Sequence, residues 1–502
     1  MPLQHLPAIR ALFPGLATGT VMLDNAGGSQ LPQCVIDAMR CYMERSFVHL
    51  GGEFALSKRA SAVIPRAREV VKVFLGAHEA AHEAAHEAAH EAAHEAAHGG
   101  REGSRIGEGM GEVFFGSSAT VLSYQLTAAY ADARDACRDP DSAPADLREH
   151  LETVGSNRGD ATHGSFRDRL LARDQIVVCT AGHEAGIGPW MRLALRGYTI
   201  VPWHVEPFRD GKRPDSSECE WRPSLDTLRK LVNERTLLVV VPQVSNILGE
   251  IWDMRGAAEI SHAAGARILV DGVAYAPHHA PRMSELGCDW YTYSTYKVFG
   301  PHMAAMFGTH EAMEELIGPN HYFLDSKSPN KWELGGVSHE AAAGVAAMWE
   351  FVCELAAIEG WSAPAGAHTP GDWTEPPSRA AFDRAFATIA GLEERHTAQL
   401  IEYLAQKPGV RIVGPRHAEP SRVGTISFTS TNATPLQICR HLGSRNIAMR
   451  HGHAYSKRLV EQLAADPNLN IDPSAGVARL SLQHYNSPEE MALTCEALDE
   501  IL

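Results

Sequence analysis

Short apolar runs alternate with segments of helical periodicity over the first three quarters of the chain. The runs are rich in Val, Ile and aromatic residues and lack polar alternation, which is typical of strands buried on both faces. Helix-like segments lie between them, for example over 184–196 and 253–265. This alternation predicts an α/β fold with a mostly parallel, doubly wound sheet. The predicted strands are EVFFGS (112–117), DQIVVCT (174–180), TLLVVVPQ (236–243), RILVDGV (267–273) and DWYTYS (289–294).

The pattern changes after about residue 380, where short strands and helices mix without regular alternation. We therefore predict a large domain over 31–375 and a smaller C-terminal α+β domain over 376–502, with residues 1–30 forming an arm that belongs to the small domain. The predicted elements are a long helix (380–406), strands at 410–414, 423–429, 446–450 and 478–484, and helices at 434–444 and 487–502.

Three stretches are predicted to be surface insertions. Residues 138–172 and 362–378 are polar and rich in Pro, Gly, Ser or Asp. The insertion at 77–110 begins with an Ala-His-Glu-Ala repeat that places six histidines four residues apart over 78–98. Such spacing lines the imidazoles along one helix face, which permits a metal-binding stripe. We interpret the repeat as a low-complexity surface segment and predict no metal site.

Composition narrows the class of protein. The net charge of −16 argues against a nucleic-acid partner, and no apolar run reaches the ~18 residues of a membrane span. The N-terminus lacks the basic start and apolar block of a signal peptide. The nine cysteines are scattered without a CxxC pair, which predicts reduced thiols, a cytoplasmic location and no zinc site.

Polar residues stand directly after five of the apolar runs. Ligands of open α/β sheets bind outside the carboxyl ends of the strands, so we expect these groups to converge at one edge of the sheet. They are Ser117, Ser118 and Thr120; His183 and Glu184; Gln243, Ser245 and Asn246; Asp271; and Ser294 and Lys297.

Asp271 and Lys297 end consecutive apolar runs, and two interpretations fit the pair. One is a plain ion pair. The other is a cofactor between them that has an aldehyde for the lysine and a cationic ring nitrogen for the aspartate. Pyridoxal 5′-phosphate (PLP) has both groups and serves as an electron sink when the ring nitrogen keeps its proton.

Three further features fit the cofactor interpretation. GSSAT (116–120) joins a strand to a helical segment, which suits either a phosphate site or an ordinary helix cap. The flat imidazole of His183 suits ring stacking, although a lone histidine is often only a core residue. Arg479 lies on an apolar strand of the small domain, where it suits a substrate carboxylate or a partly buried salt bridge.

With these residues in place, the chain resembles the class V aminotransferase-like, fold type I PLP enzymes, and within them the cysteine desulfurase-like branch. The matching segments span nearly the whole chain outside the three insertions. They are LDNAGGSQLP (23–32), FFGSSATVL (114–122), GHEAGIGPW (182–190), VSNILGEI (244–251), ILVDGVAYAPH (268–278), CDWYTYSTYKVFGPH (288–302) and ARLSLQHYNSPEE (478–490).

The resemblance implies a role for each matching residue at the cofactor ring. Lys297 matches the lysine that holds the cofactor as a Schiff base, and Asp271 matches the partner of the ring nitrogen. His183 matches the histidine that stacks on the ring and assists proton transfer. Asn246 matches the asparagine near the ring hydroxyl.

The phosphate and substrate ends of the site are implied in the same way. Ser118, Ala119 and Ser294 fall on phosphate-cup positions, and Arg479 falls on the arginine that binds the carboxylate of the amino-acid substrate. Enzymes of this kind are usually homodimers with the site at the subunit interface, which makes a second copy of this chain an expected partner.

Departures from the family pattern bear on the reaction. Tyr455, in RHGHAYS (450–456), stands where desulfurases carry their mobile-loop cysteine, and a phenol cannot accept sulfur as a thiolate does. Ala274 replaces a glutamine, Tyr296 replaces a histidine before the lysine, and Gly336 replaces a threonine that reaches the neighbouring subunit's phosphate.

These features together predict the reaction class. We expect a PLP-dependent enzyme that acts through Lys297 on the α-carbon or β-substituent of a small α-amino acid, by lyase or carbon–carbon or carbon–sulfur bond chemistry. The alternatives are a cysteine desulfurase or an aminotransferase and, from a different class, a non-catalytic metal-binding scaffold built on the histidine repeat.

Overall fold

The computed structural model describes residues 3–77, 110–157, 166–208, 220–326, 328–361 and 376–502. The histidine repeat over 78–98, and with it the metal-stripe interpretation, lies outside the described residues.

The strands and helices follow one another in the order typical of an α/β chain with an appended α+β part. The strands are β1 Val21–Met22, β2 Gly111–Gly116, β3 Gln175–Cys179, β4 Thr199–Trp203, β5 Val205–Phe208, β6 Glu220–Pro223, β7 Thr236–Pro242, β8 Arg267–Asp271, β9 Trp290–Ser294, β10 Ala304–Thr309, β11 Val410–Val413, β12 Thr425–Ser430, β13 Ile447–Ala448, β14 Arg450–Gly452 and β15 Val477–Ser481. The α-helices are α1 Leu6–Ala11, α2 Gln33–Arg45, α3 Ala55–Ser61, α4 Val63–Phe74, α5 Ala119–Arg138, α6 Ala145–Asn157, α7 Phe166–Ala172, α8 Glu184–Met191, α9 Leu225–Leu231, α10 Met254–Ala263, α11 Met283–Leu286, α12 His310–Glu315, α13 His339–Ala346, α14 Met348–Glu359, α15 Arg379–Ala405, α16 Pro435–Ser444, α17 Lys457–Leu463 and α18 Pro488–Asp499.

The central sheet has seven strands in the order β2-β10-β9-β8-β7-β3-β4. Strand β10 runs antiparallel to both of its neighbours, and the other paired strands run parallel. Successive side chains of a strand point to opposite faces. Accordingly, Val239 and Val241 of β7 join one hydrophobic core, and Leu238 and Val240 join the core on the other face. The mostly parallel α/β sheet predicted from the sequence is confirmed.

The C-terminal part contains a four-stranded sheet in the order β11-β12-β15-β14. The N-terminal strand β1 pairs in parallel with β13. Leu23 continues this docking, because its N–H donates to the Ala448 carbonyl (2.9 Å) and its carbonyl accepts from the Ser481 N–H (2.7 Å). Residues 21–24 therefore contact β13 and β15 of the C-terminal part, whereas Ile9, Phe13 and Leu16 pack in the core of the large part. The domain boundaries themselves stay a prediction.

Some elements differ from the sequence prediction, each for a local reason. Strand β10 was not predicted because its sequence, AAMFGT, begins with two alanines and a methionine and has only one β-branched residue, Thr309, at its end. Strand β4 contains Pro202, which weakens a strand pattern. The strand predicted over 446–450 is two short strands, β13 and β14. The α-helix predicted over 184–196 ends at Met191, two residues after Pro189, and continues as a 3₁₀ turn.

One apolar helical stretch belongs to the core. Within the described residues, His339–Glu359 alone is long and apolar enough to cross a membrane, and 83% of its most apolar window is buried inside the protein. Helices α13 and α14, which make up this stretch, pack against α2 and the rest of the first core. Its apolar character is explained by this packing.

Candidate active site

The carboxyl ends of the parallel strands bring the predicted site residues to one edge of the sheet. His183 follows β3, Asn246 follows β7, Asp271 ends β8, and Ser294 and Lys297 follow along β9. Strand β2, which precedes the GSSAT turn, points the same way because two antiparallel pairings separate it from β9. The strand ends therefore lie at one edge of the sheet, where the alternation in the sequence predicted a ligand site.

Lys297 is buried in a 3₁₀ turn directly after β9, and 7% of its surface is exposed. Burial lowers the pKa of its amine to about 8, with a further lowering by Arg479 that Asp271 and Asp24 oppose. Although Asp271 acts on the amine electrostatically, the two described side chains form no ion pair. An amine with this pKa is neutral in an appreciable fraction of molecules near pH 7, as a nucleophilic lysine requires.

Asp271 is held at the end of β8 by its own turn. Its Oδ1 accepts the Val273 N–H (3.0 Å), and burial raises the pKa of the carboxyl. The neighbouring Gly186 leaves space beside the other oxygen, because a Cβ there would lie 2.7 Å from Asp271 Oδ2. One oxygen is thus fixed, and the second faces a space that only glycine keeps open.

His183 caps the N-terminus of helix α8. Its Nδ1 accepts the Ala185 N–H (3.0 Å), and burial, with the nearby cations Lys297 and Arg479, lowers the pKa of the imidazole to about 4. The ring is therefore neutral at pH 7, and its proton resides on Nε2 because Nδ1 is an acceptor. The Tyr455 ring lies beside it, with 5.0 Å between the ring centroids and 33° between the planes.

The predicted phosphate-cup residues lie at the ends of β2 and β9. Ser118 is the N-cap of α5, a helix of 20 residues, and its hydroxyl accepts the Val121 N–H (3.2 Å). Ser294 is buried, and the strand register places Ala304 between it and Gly116. One strand, β10, therefore lies between Ser294 and the strand that leads into α5. The dipole of α5 favours an anion at the N-terminus of this helix.

Asn246 is engaged with the loop His453–Ser456, which the sequence did not predict. Its Nδ2 donates to the Ala454 carbonyl (2.8 Å), and its Oδ1 accepts the Ser456 hydroxyl (2.7 Å). The second N–H of the amide keeps one hydrogen-bond donor for a ligand.

The same loop is also fixed to the start of α8. The Glu184 N–H donates to the Tyr455 carbonyl (2.8 Å), and the Glu184 carboxylate pairs with both Nε and Nη2 of Arg458 (3.0 and 3.1 Å). Ala454 and Tyr455 both adopt positive φ (42° and 60°), a conformation that non-glycine residues hold only when their surroundings impose it. The Tyr455 side chain is 68% exposed beside His183.

Arg479 is buried on β15 with an incomplete set of partners. Its Nη1 donates to the Asn246 carbonyl (3.1 Å), and its Nη2 lies 3.4 Å from Asp24 Oδ1. Its Nε is buried and has no partner among the described residues. Burial lowers the pKa of the guanidinium, with Asp24 opposing this effect. The side chain is therefore charged and poorly paired, and its charge lowers the pKa values of Lys297 and His183.

Asp24 and Arg450 belong to the same site and were missed by the sequence analysis. Asp24 Oδ2 accepts from both Nε and Nη2 of Arg450 (3.0 and 2.5 Å). Both residues stand in segments that were compared with the family pattern, LDNAGGSQLP and RHGHAYS. The segments pointed to the site but did not show that Asp24 contacts Arg450. More than 400 residues separate the partners.

Comparisons with known proteins agree with this geometry. The family model "Aminotransferase class-V" matches residues 21–94, 119–363 and 382–493. An aminotransferase-like protein of Gibberella zeae is 26% identical over 502 residues, covering 98% of each chain. A cysteine desulfurase-like protein of Aspergillus flavus is 30% identical over 345 residues, covering 66% of this chain and 69% of its own.

Solved structures show the same fold. A cysteine desulfurase from Thermococcus onnurineus NA1 is 19% identical and superposes with a TM-score of 0.68, covering 98% of this chain and 97% of that chain. The cysteine desulfurase CsdA of Escherichia coli, also 19% identical, superposes with a TM-score of 0.65. The predicted family and fold class are confirmed: the chain belongs to the class V aminotransferases and is a PLP-dependent enzyme.

Proposed function

We propose that this enzyme acts on the α-carbon or β-substituent of a small α-amino acid, by lyase or carbon–carbon or carbon–sulfur bond chemistry that uses Lys297. The observation that carries this proposal is the loop His453–Ser456, which holds Tyr455 beside His183. The family resemblance assigns to Tyr455 the position of the desulfurase cysteine. The dependence on PLP follows from the family, and the choice of reaction follows from this chain's own residues.

The side chains of the cleft fit PLP. The amine of Lys297 and the carboxylate of Asp271 are buried, electrostatically coupled and without a direct ion pair, which favours a group between them over the plain ion pair. Lys297 would hold the aldehyde carbon, Asp271 the ring nitrogen, and Ser118, Ala119 and Ser294 the phosphate. When bound, PLP supplies an aldehyde for the substrate amine and a ring that accepts the electron pair of the broken bond.

Lys297 is the better proton carrier of the two candidates. Its pKa of about 8 lets the amine take a proton from carbon and return it near neutral pH. His183 has its Nδ1 lone pair engaged by the Ala185 N–H, so the neutral ring offers a hydrogen-bond donor at Nε2 and no accessible base. His183 then stacks and donates, and Lys297 moves the proton.

Arg479 is the candidate for binding the substrate carboxylate. Its unpartnered Nε and its long contact to Asp24 leave donors for a carboxylate, which a guanidinium binds with two parallel hydrogen bonds. Electrostatic influence of Arg479 on both Lys297 and His183 supports its proximity to the reacting end of an amino acid.

Transfer of sulfur to the loop is disfavoured by two features. Tyr455 has no thiol, and the segment that carries it is fixed through Asn246 and Glu184. Cys439 and Cys495 lie on helices of the C-terminal part, and burial raises the pKa of each thiol, to about 11 for Cys495. A thiolate is needed to accept sulfur, so neither is a ready replacement.

The homodimer is part of the same proposal. Large apolar side chains are exposed in the chain taken alone, among them Phe47 (70%), Tyr322 (78%) and Phe323 (69%). Of these, Tyr322 and Phe323 are in ring contact, and a contiguous exposed apolar pair supports a surface that another protein covers. Sedimentation velocity is expected to give twice the mass of the chain. A cytoplasmic location stays a prediction from the sequence.

A screen of the holoenzyme tests the reaction. Each common amino acid is added in D₂O while the visible absorption band of the cofactor, deuterium uptake at Cα, carbon dioxide release and sulfide release are followed. We expect at least one small amino acid to change the band and to lose a Cα substituent, with Lys297→Ala inactive and without the band. Sulfide release from L-cysteine that a single Cys→Ser change abolishes would instead identify a desulfurase.

A further inference from the structure

Two arginines share one carboxylate next to the proposed cofactor site. Arg450 and Arg479 face each other across β14 and β15, where the strand register pairs them directly. Both contact Asp24: Arg450 through two nitrogens on Oδ2, and Arg479 through a single 3.4 Å approach to Oδ1. Two guanidinium groups and one carboxylate give this cluster a net charge of +1.

The backbone fixes Asp24 in this position. It follows β1 and forms a parallel bridge with Ser481, and the hydrogen bonds of Leu23 to Ala448 and Ser481 anchor the preceding residue on both sides. A Cβ on Gly27 would lie 3.3 Å from both Asp24 Oδ2 and Arg450 Nη2, so the chain closes tightly over this pair. The backbone of Asp24 is therefore anchored, while the orientation of its carboxylate is set by the two hydrogen bonds from Arg450.

The hydrogen bonds that Asp24 accepts are distributed unequally between the two arginines. Arg450 donates two of its N–H groups to one oxygen of Asp24, and Asp24 raises the pKa of its guanidinium. Arg479 has five N–H groups, of which one donates to the Asn246 carbonyl and one makes the long contact. Its buried Nε finds no partner within the described residues. Each arginine thus uses two of its five N–H groups within the described residues, but the spare donors of Arg450 belong to a side chain that is 53% exposed, whereas those of Arg479 are buried.

We propose that Asp24 and Arg450 are positioning residues that set the affinity of Arg479 for the substrate carboxylate. Arg450 holds Asp24 on Oδ2 and keeps it from saturating Arg479. Asp24 in turn remains close enough to compete with the substrate carboxylate for Arg479, and it limits how tightly Arg479 binds the substrate. This inference rests on the proposed role of Arg479 in carboxylate binding.

The proposal predicts changes of opposite sign at two residues that do not touch the substrate. Asp24→Asn removes the competing charge and is expected to tighten carboxylate binding about tenfold. Arg450→Met releases Asp24 to pair fully with Arg479 and is expected to weaken carboxylate binding about tenfold. In the double variant the competitor is absent, so its affinity is expected to follow Asp24→Asn and not Arg450→Met.

Equilibrium titration of the holoenzyme, followed by the visible band, measures these affinities. The probes are L-alanine and L-alaninamide, or the amino acid with the largest spectral change in the screen above and its carboxamide. The amide lacks the carboxylate, so its Kd is expected to stay within twofold in all variants. Asp472→Asn, which removes an exposed carboxylate from the same part of the chain, is the charge control and is expected to change neither Kd.

The outcomes separate this inference from the proposed function. Equal shifts for acid and amide, or shifts of the same sign for Asp24→Asn and Arg450→Met, overturn the inference. If no amino acid alters the wild-type spectrum, or if Arg479→Met leaves the preference for acid over amide intact, the proposed function itself is wrong. Thermal unfolding shows which variants fold. If Arg450→Met does not, Arg450→Lys is expected to shift the acid Kd in the same direction by a smaller factor.

Discussion

Replacing Lys297 by methionine is expected to stabilise the cofactor-free protein at neutral pH. The pKa of the buried amine is about 8, against 10.5 for a lysine in water. Each pKa unit corresponds to about 1.4 kcal/mol, so holding the ammonium in the cleft costs the folded state about 3 kcal/mol at pH 7. Methionine fills a similar volume without a charge and removes this cost.

The pH dependence gives the expectation its sign. Because the folded pKa is lower than the unfolded one, the unfolded chain binds more protons between about pH 8 and pH 10.5. The stability contributed by this site in the wild type therefore rises with pH across that window. The advantage of Lys297→Met is full below about pH 8 and disappears above about pH 10.5.

Guanidinium unfolding of both cofactor-free proteins at pH 7 and pH 10.5 measures this difference. The control is Lys457→Met, a lysine with 63% of its side chain exposed, which is expected to change the free energy of unfolding by less than about 0.5 kcal/mol. A Lys297→Met protein that is less stable than wild type at pH 7, or an advantage that is equal at both pH values, refutes the reasoning.

Three more changes test other features of the molecule. Glu393→Gln replaces the carboxylate that lies 2.6 Å from Nδ1 of the buried His278 by an amide and is expected to lower the free energy of unfolding by about 2 kcal/mol, measured by urea titration; a loss below about 0.5 kcal/mol would contradict a strong buried hydrogen bond. Asn246→Ala removes two hydrogen bonds from the loop His453–Ser456 and is expected to speed amide hydrogen exchange there at least about tenfold, with distant amides unchanged. Deletion of residues 78–98 is expected to leave cofactor uptake and turnover unchanged, and loss of either would give the repeat a role.

The strand ends were the most predictable part of the site. Parallel strands that are buried on both faces have continuous apolar sequences. Asp271 and Lys297 are recognisable because they are charged residues at the ends of two such apolar runs. The fold class follows from the same runs. Strand β10 was missed because its two alanines and one methionine have little local preference for a strand, although they are paired with β2 and β9 in the sheet.

Contacts between distant segments could not be predicted in the same way. The matching segment LDNAGGSQLP includes Asp24 but does not identify its partners, since Arg450 and Arg479 lie on strands brought to it only by the folded C-terminal sheet. The proton position on His183 likewise depends on the N–H of Ala185, which a helix start fixes and a residue pattern does not.

The docking of the first strand has a consequence for the assembly of the enzyme. Asp24 leaves the ribosome 455 residues before Arg479, which at ~5–20 residues per second is a delay of roughly 20 to 90 s. Throughout that interval the segment around Leu23 has no sheet to join, and the arginine cluster does not exist. The active site is therefore completed last, after synthesis of almost the whole polypeptide. A nascent chain that has already formed its central sheet still lacks Arg479, the proposed binding group for the substrate carboxylate.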